Sequence, residues 1–258
     1  MNRKITISLL LSAGLIAGSS TALAAEPEND LQKQAAAEKA LAIQALGNMS
    51  EYLRSLDKFT VHAQVNVDEV LANGQKVQLT KSVEVIADRP SSLRATTSTM
   101  YSQREFYFDG KIFTLYSPRL GFYASFDAPA TIGEVVVKAK DNFDVEMPLA
   151  DLFYWGTDAD ASDDIEEAIV VGVDKIDGIS CNHFAFRQKE VDWQICIQRG
   201  DTPLPLKLVI TSKEETAQPQ HASVMKWDTA PSLSGQSYTF VPHDGDAKIN
   251  FGKVEADK

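Results

Sequence analysis

Residues 59–68 read Phe-Thr-Val-His-Ala-Gln-Val-Asn-Val-Asp, and this stretch decides the fold. Phe59, Val61, Ala63, Val65 and Val67 alternate with Thr60, His62, Gln64, Asn66 and Asp68. A period of two sends successive side chains to opposite faces, so the segment is a half-buried strand with one dry face. Asn73-Gly74 marks a hairpin turn. Val77, Leu79, Val83 and Val85 carry the alternation into a return strand, with Lys81 as its one break.

The same period continues downstream. Arg89-Pro90 ends the return strand and Leu93 to Thr99 starts another. Asp109-Gly110 turns Arg104–Phe108 into Lys111–Tyr116; with those two residues as the loop, Phe106 is expected opposite Phe113 and Arg104 opposite Leu115. Pro118 precedes an aromatic strand, Leu120 to Phe126. Further strands are expected at Ile169–Val173, Ile179–Arg187, Val191–Gln198, Leu206–Ser212 and Ser223–Asp228, with a weaker one at Tyr238–Val241. Pro203 and Pro205 suit a strand entrance or edge.

Helices are few. Leu31 to Leu56 is rich in helix formers, and Ala42, Ala45, Leu46, Met49, Leu53 and Leu56 form one apolar stripe. Thr131-Ile132-Gly133-Glu134 has the spacing of a capping box, followed by Ile132, Val135, Val136, Ala139 and Phe143 on one side. Pro148 suits the first turn of a short helix through Leu149, Leu152 and Phe153, which Gly156 could end.

The hairpin near Gln188-Lys189 allows a register test. With those residues as the loop, Phe184 meets Trp193, Phe186 meets Val191 and Asn182 meets Ile195, so large apolar side chains gather on one face. His183, Asp192, Gln194 and the facing pair Cys181/Cys196 take the other. Cα atoms of a directly opposed pair lie about 5.5 Å apart, which permits a disulfide without requiring it. A pair of buried thiols is the alternative.

The first 25 residues read as a secretory signal peptide: Arg3 and Lys4, an apolar run from Ile5 to Ile16, and Ala22-Leu23-Ala24-Ala25 for cleavage. The run falls short of the about 20 residues that span a bilayer. With no Cys near the cleavage point, an exported chain without a lipid anchor is expected, periplasmic and compatible with disulfides. Cleavage takes the net charge from −11 to −13, which disfavours nucleic acid and anionic membrane surfaces as partners. No transmembrane segment is read in the rest of the chain. No linker or fixed-period repeat divides residues 26–258, so one domain is expected.

About ten or eleven hairpin-connected strands make an antiparallel sheet with one apolar face, and a sheet that large must curl. The predicted fold is α+β: a curved open half-barrel with a long N-terminal helix and short helices as lid or plug.

The order of several short motifs also carries a resemblance. These are Arg89-Pro90, Tyr107-Phe108-Asp109-Gly110-Lys111, Thr114-Leu115-Tyr116 and Ala128-Pro129-Ala130-Thr131-Ile132, followed by Pro148-Leu149-Ala150-Asp151-Leu152, Cys181-Asn182-His183, Val191-Asp192-Trp193-Gln194 and Pro203-Leu204-Pro205. From Ala37 to Ile249 the chain resembles the bacterial family called domain of unknown function 2092, predicted periplasmic proteins related to the outer-membrane lipoprotein carriers and receptors. The resemblance implies a half-barrel of about eleven strands closed by helices over an apolar cavity, which in the carriers holds acyl chains. It brings no established activity and no ligand-contacting residue.

Catalytic chemistry finds little support. There is no G-x-S-x-G, and Leu233-Ser234-Gly235-Gln236-Ser237 has the wrong spacing for a nucleophile elbow. Cys181 with His183 is conceivable as a nucleophile and base, but a disulfide or plain thiol is the simpler reading. His62, His183, His221 and His243 are scattered, so no metal and no cofactor are expected. Asp158, Asp160, Ser162 and Asp164 resemble a calcium loop, but Asp163 stands where its turn glycine belongs and Ile169 where its bidentate Glu belongs.

The aromatic clusters remain. Phe106, Phe108, Phe113, Leu115, Tyr116, Tyr123 and Phe126 are candidates for a cavity wall, and Leu152, Phe153 and Trp155 for a lid. Packed core is the competing use of the same side chains. The expected function is a non-enzymatic periplasmic binding or carrier protein for a lipid, acylated protein or other apolar ligand. The alternative is a non-catalytic envelope or sensor protein that acts through protein contacts and has no ligand cavity.

Overall fold

The computed structural model describes residues 26–155 and 164–252. The expected signal peptide, Gly156 and residues 158–163 of the acidic stretch lie outside the described residues. Helix α1 (Glu26–Ser55) leads into six strands: β1 (Lys58–Val70), β2 (Lys76–Asp88), β3 (Ser92–Ser98), β4 (Gln103–Phe108), β5 (Ile112–Ser117) and β6 (Phe122–Asp127). Helices α2 (Ile132–Phe143) and α3 (Asp151–Tyr154) follow, then β7 (Glu167–Ile176), β8 (Ile179–Arg187), β9 (Val191–Gln198), β10 (Pro205–Ser212), β11 (Gln220–Asp228) and the short β12 (Ala247–Lys248).

The strands form one open twelve-stranded sheet in the order β12-β6-β5-β4-β3-β2-β1-β11-β10-β9-β8-β7. Two meanders, β1–β6 and β7–β11, are joined by the antiparallel pairing of β1 with β11. Every pairing is antiparallel except β12 with β6. The α+β class and the open sheet are as expected.

Both hairpin registers differ from the expected ones by the same step. Phe106 faces Leu115 and Phe108 faces Phe113, while Arg104 faces Thr97 of β3. The Asp109 carboxylate accepts from the Lys111 and Ile112 amides, so Asp109 opens the turn, and Gly110, at φ 85°, takes its first central position. In the second hairpin, Phe184 faces Ile195, Phe186 faces Trp193 and Cys196 faces His183. The Gln188 N–H donates to the Val191 carbonyl, which closes the loop around Lys189-Glu190. A two-residue shift conserves faces, so the apolar clustering survives the corrected register. The cysteines are bonded as well, with Cα atoms 5.5 Å apart.

One face of the sheet is dry and carries the helices. Val61, Val65, Val85, Leu93, Phe108 and Phe113 from the strands pack there with Leu46, Met49 and Leu53 of α1 and Val135, Val136 and Ala139 of α2. Burying each such side chain is worth about 1.5–3 kcal/mol. Helix α2 starts on the expected capping box, with Thr131 Oγ1 accepting from the Glu134 N–H and the Glu134 carboxylate accepting from the Thr131 N–H. Helix α1 runs beside the edge strand β7: Lys39 Nζ donates to the Ile165 carbonyl at 2.5 Å, and Glu38 accepts from the Val170 N–H.

Tyr238–Val241 is not a strand. Pro242 lacks the N–H a ladder needs, and Phe240 instead lies flat on the other face of the sheet, against Tyr107, Tyr116 and Tyr123 at 5.5, 4.8 and 4.9 Å. The chain then turns the sheet edge through β12, and Phe251 packs beside Phe126 and Phe143 at 5.6 and 5.0 Å, next to α2. This strap clasps β6 from both faces.

Candidate functional site

Strand parity sorts the ten candidate residues. Phe106, Phe108, Phe113, Leu152 and Phe153 lie together in the helix-covered core, each under 5 % exposed. Leu115, Phe126 and Trp155 are half-buried at its margin. Tyr116 and Tyr123 face each other on the opposite side of the sheet, under Phe240, and are not brought to the others. Between Phe113 and Tyr116 there are three residue steps, an odd number, so alternation itself puts them on different faces.

The helices do not cover the whole dry face. Three cross-strand rows lead from the sealed core outward. The first runs Met225–Ala63–Val83–Thr97–Arg104, the second Leu208–Ser223–Val65–Lys81 and the third Ile210–His221–Val67–Leu79. From the first row to the third, apolar burial gives way to exposure: Val83 is buried, whereas Leu79 is 46 % exposed. Next to the Arg104 end of the first row lies a pocket of about 360 Å³. Phe106 and Leu115 form one wall, and Lys140 of α2 with Asp144, Val145 and Glu146 of the α2–α3 connection form the other, with Arg104 at the rim.

Local geometry sets the second wall. Asp144 sits in the left-handed region at φ 51° and ends α2, its N–H donating to the Lys140 carbonyl and the Val145 N–H donating to the Ala139 carbonyl. Lys140 Nζ then reaches both Asp144 at 2.9 Å and Glu146 at 2.7 Å.

Electrostatics concentrate here. Burial lowers the Lys81 pKa, and Arg104 adds to the shift against the pull of Glu146. The His221 pKa is also lowered, by enclosure first and by Lys81 second, while Glu146 opposes. Burial raises the Asp151 carboxyl, and the charge of Glu146 raises it further. Lys81 was visible in the sequence only as a break in an apolar strand. His221 shares the dry-face parity of β11, a signal of the same kind. Arg104 and Glu146 carry no such mark.

A second concavity, about 770 Å³, opens on the other face among His62, Gln64, Asn66, Glu84, Thr96 and Lys226. Its ionic groups are matched, His62 with Glu84 at 3.5 Å and Lys226 with Asp177 at 3.1 Å. Among the described residues no cluster of His, Cys, Asp or Glu is arranged to hold a metal. The disulfide takes up the thiol that a Cys181/His183 pair would need. No helix among the described residues is long and apolar enough to cross a membrane.

Solved structures share the broad outline. LprF from Mycobacterium bovis is 16% identical, with TM-score 0.45, over 73% of this chain and 93% of that one. The Mycobacterium tuberculosis lipoprotein LppX is 10% identical, with TM-score 0.45, over 73% and 95%. A LolA superfamily protein from Nitrosomonas europaea is 9% identical, with TM-score 0.37, over 77% and 97%. At these scores the likeness carries no functional weight. No curated protein matches by sequence. The model of a family described as predicted periplasmic protein, domain of unknown function 2092, matches residues 42–252, and the chain belongs to that family.

Proposed function

We propose that this chain is a non-enzymatic periplasmic binding or carrier protein, released by its signal peptide without a lipid anchor. As a single domain, it holds a lipid, an acylated protein or another apolar ligand at the open end of the half-barrel. The observation that carries this reading is the apolar strip that runs out from under the helices through the half-buried Ile210 and Val67 to the 46 % exposed Leu79. Alkyl chain laid on that strip gains about 0.8 kcal/mol per buried CH₂. Phe106 and Leu115 would touch the ligand; Phe108, Phe113, Leu152 and Phe153 form the packed floor behind them, and Phe126 and Trp155 flank it. Tyr116 and Tyr123 serve the strap instead.

The second reading, an envelope or sensor protein working through protein contacts, draws on the dense packing around Phe108 and Phe113. The pocket volume of about 360 Å³ exceeds the about 300 Å³ at the low end of ligand sites, but its lining is more polar than apolar and does not by itself favour either reading. Native mass spectrometry and lipid extraction on protein purified from periplasm separate the two. A bound lipid supports the carrier; protein that is always empty and binds no fluorescent fatty acid overturns it.

A further inference from the structure

The open end brings together cationic groups that the acidic chain does not neutralise. Lys81, Arg104 and His221 come from β2, β4 and β11, and register places all three on the dry face, on a diagonal across β1 and β3. Neither Lys81 nor Arg104 has a carboxylate within ion-pair distance among the described residues. Glu146, whose charge acts on Lys81, is held by Lys140 at 2.7 Å. Lysine is rarely placed on an apolar face without a partner, because desolvating its charge costs free energy. Arg104, two strands away, lines the pocket whose apolar wall is Phe106 and Leu115. A net charge of −11 makes this local excess of positive charge stand out further.

We propose that Lys81 and Arg104, with His221 beside them, form a head-group site for an anionic amphiphile, whose phosphate or carboxylate meets these cations while its alkyl chain lies along Leu79 and Val67. This assignment rests on the carrier reading above and adds the ligand's charge. An oxyanion supplies what the site lacks: acceptors for the Lys81 ammonium and the Arg104 guanidinium. The alkyl part takes the uncovered apolar strip. A neutral lipid would satisfy the strip and leave both cations unmatched.

Calorimetric titration of the purified mature chain tests this with three probes: a 16-carbon lysophosphatidate, the monoacylglycerol of the same chain length, and inorganic phosphate. Lysophosphatidate is expected to bind about tenfold or more tighter than monoacylglycerol. That preference should shrink as salt rises. The Lys81→Gln/Arg104→Gln variant should lose the preference while binding monoacylglycerol as the wild type does, which also reports that it is folded. Equal affinity for the two amphiphiles in the wild type overturns the head-group site and leaves the carrier reading standing, as does a preference that survives in the variant. Inorganic phosphate binding as tightly as lysophosphatidate makes this a small-anion site and overturns the lipid assignment. Binding of no probe overturns the carrier reading itself.

Discussion

Cys181 and Cys196 are bonded on a diagonal: Cys181 stands opposite Gln198 and Cys196 opposite His183, yet their Cα atoms are 5.5 Å apart. The right-handed twist of the β8–β9 pair draws one diagonal together, so the bond ties neighbouring rungs. It also fixes the register of a hairpin whose loop, Lys189-Glu190, contains no glycine. Replacing both cysteines with serine should lower stability by about 3 kcal/mol, the loop-closure value for a 15-residue separation. Urea unfolding of the oxidised and variant proteins measures it; matched midpoints would show that the bond constrains nothing.

Leu79 and Phe108 separate ligand contact from core. Phe108→Ala should cost about 3–5 kcal/mol, because the side chain is fully buried. Leu79→Ala should change stability by less than about 0.5 kcal/mol. The same variant should weaken an alkyl probe about tenfold, the value of two lost methylene contacts. Probe binding unaffected by Leu79→Ala would move the ligand elsewhere.

Thr131 holds the start of α2. Thr131→Ala removes the acceptor for the Glu134 N–H and should cost about 1 kcal/mol, whereas Thr131→Ser should keep most of it. Thermal melts of the two variants give the comparison, and equal melts would mean that packing alone sets this helix end.

Asp246 fastens the strap. Its carboxylate accepts from the His243 N–H at 2.7 Å and from the Tyr116 hydroxyl at 3.0 Å, and these bonds, the backbone one foremost, hold its pKa below the ordinary 3.8. A carboxylate lowered on folding stabilises above its unfolded pKa, and the contribution fades as pH falls through the folded value. The strap should therefore stay closed down to about pH 4 and loosen below it. Amide exchange at Ala247 and Ile249, which donate to the Gly121 and Tyr123 carbonyls, reads this directly. Asp246→Asn should raise their exchange already at neutral pH; unchanged protection there would refute the role.

Local periodicity made most strands legible. Ile179–Arg187 and Val191–Gln198 match β8 and β9 residue for residue, and the Thr131–Glu134 spacing marks the true start of α2. Registers were less legible, because an Asx turn at Asp109 and a glycine-free loop at Lys189-Glu190 each displace the hairpin centre by one residue. The Phe240 strap was illegible for another reason: an aromatic run between prolines looks the same whether it extends an edge or lies across a face. Tyr116 and Tyr123 joined the site candidates by closeness in sequence, although parity separates them from Phe113. Lys81 and Arg104 approach within the first meander, but His221 joins them only because β1 pairs with β11, a contact between distant parts of the chain that no local pattern announces.

That one pairing also orders events in time. Each meander can zip locally, turn by turn, but Thr60 must wait for Asp228, and Val67 for His221, before the two halves share a sheet. Non-local closure of this kind is slow and entropically late. A chain threaded through a narrow pore amino end first therefore remains an unsealed pair of ribbons until Gln220–Asp228 has passed. The topology itself postpones locking until the β11 segment is available to pair.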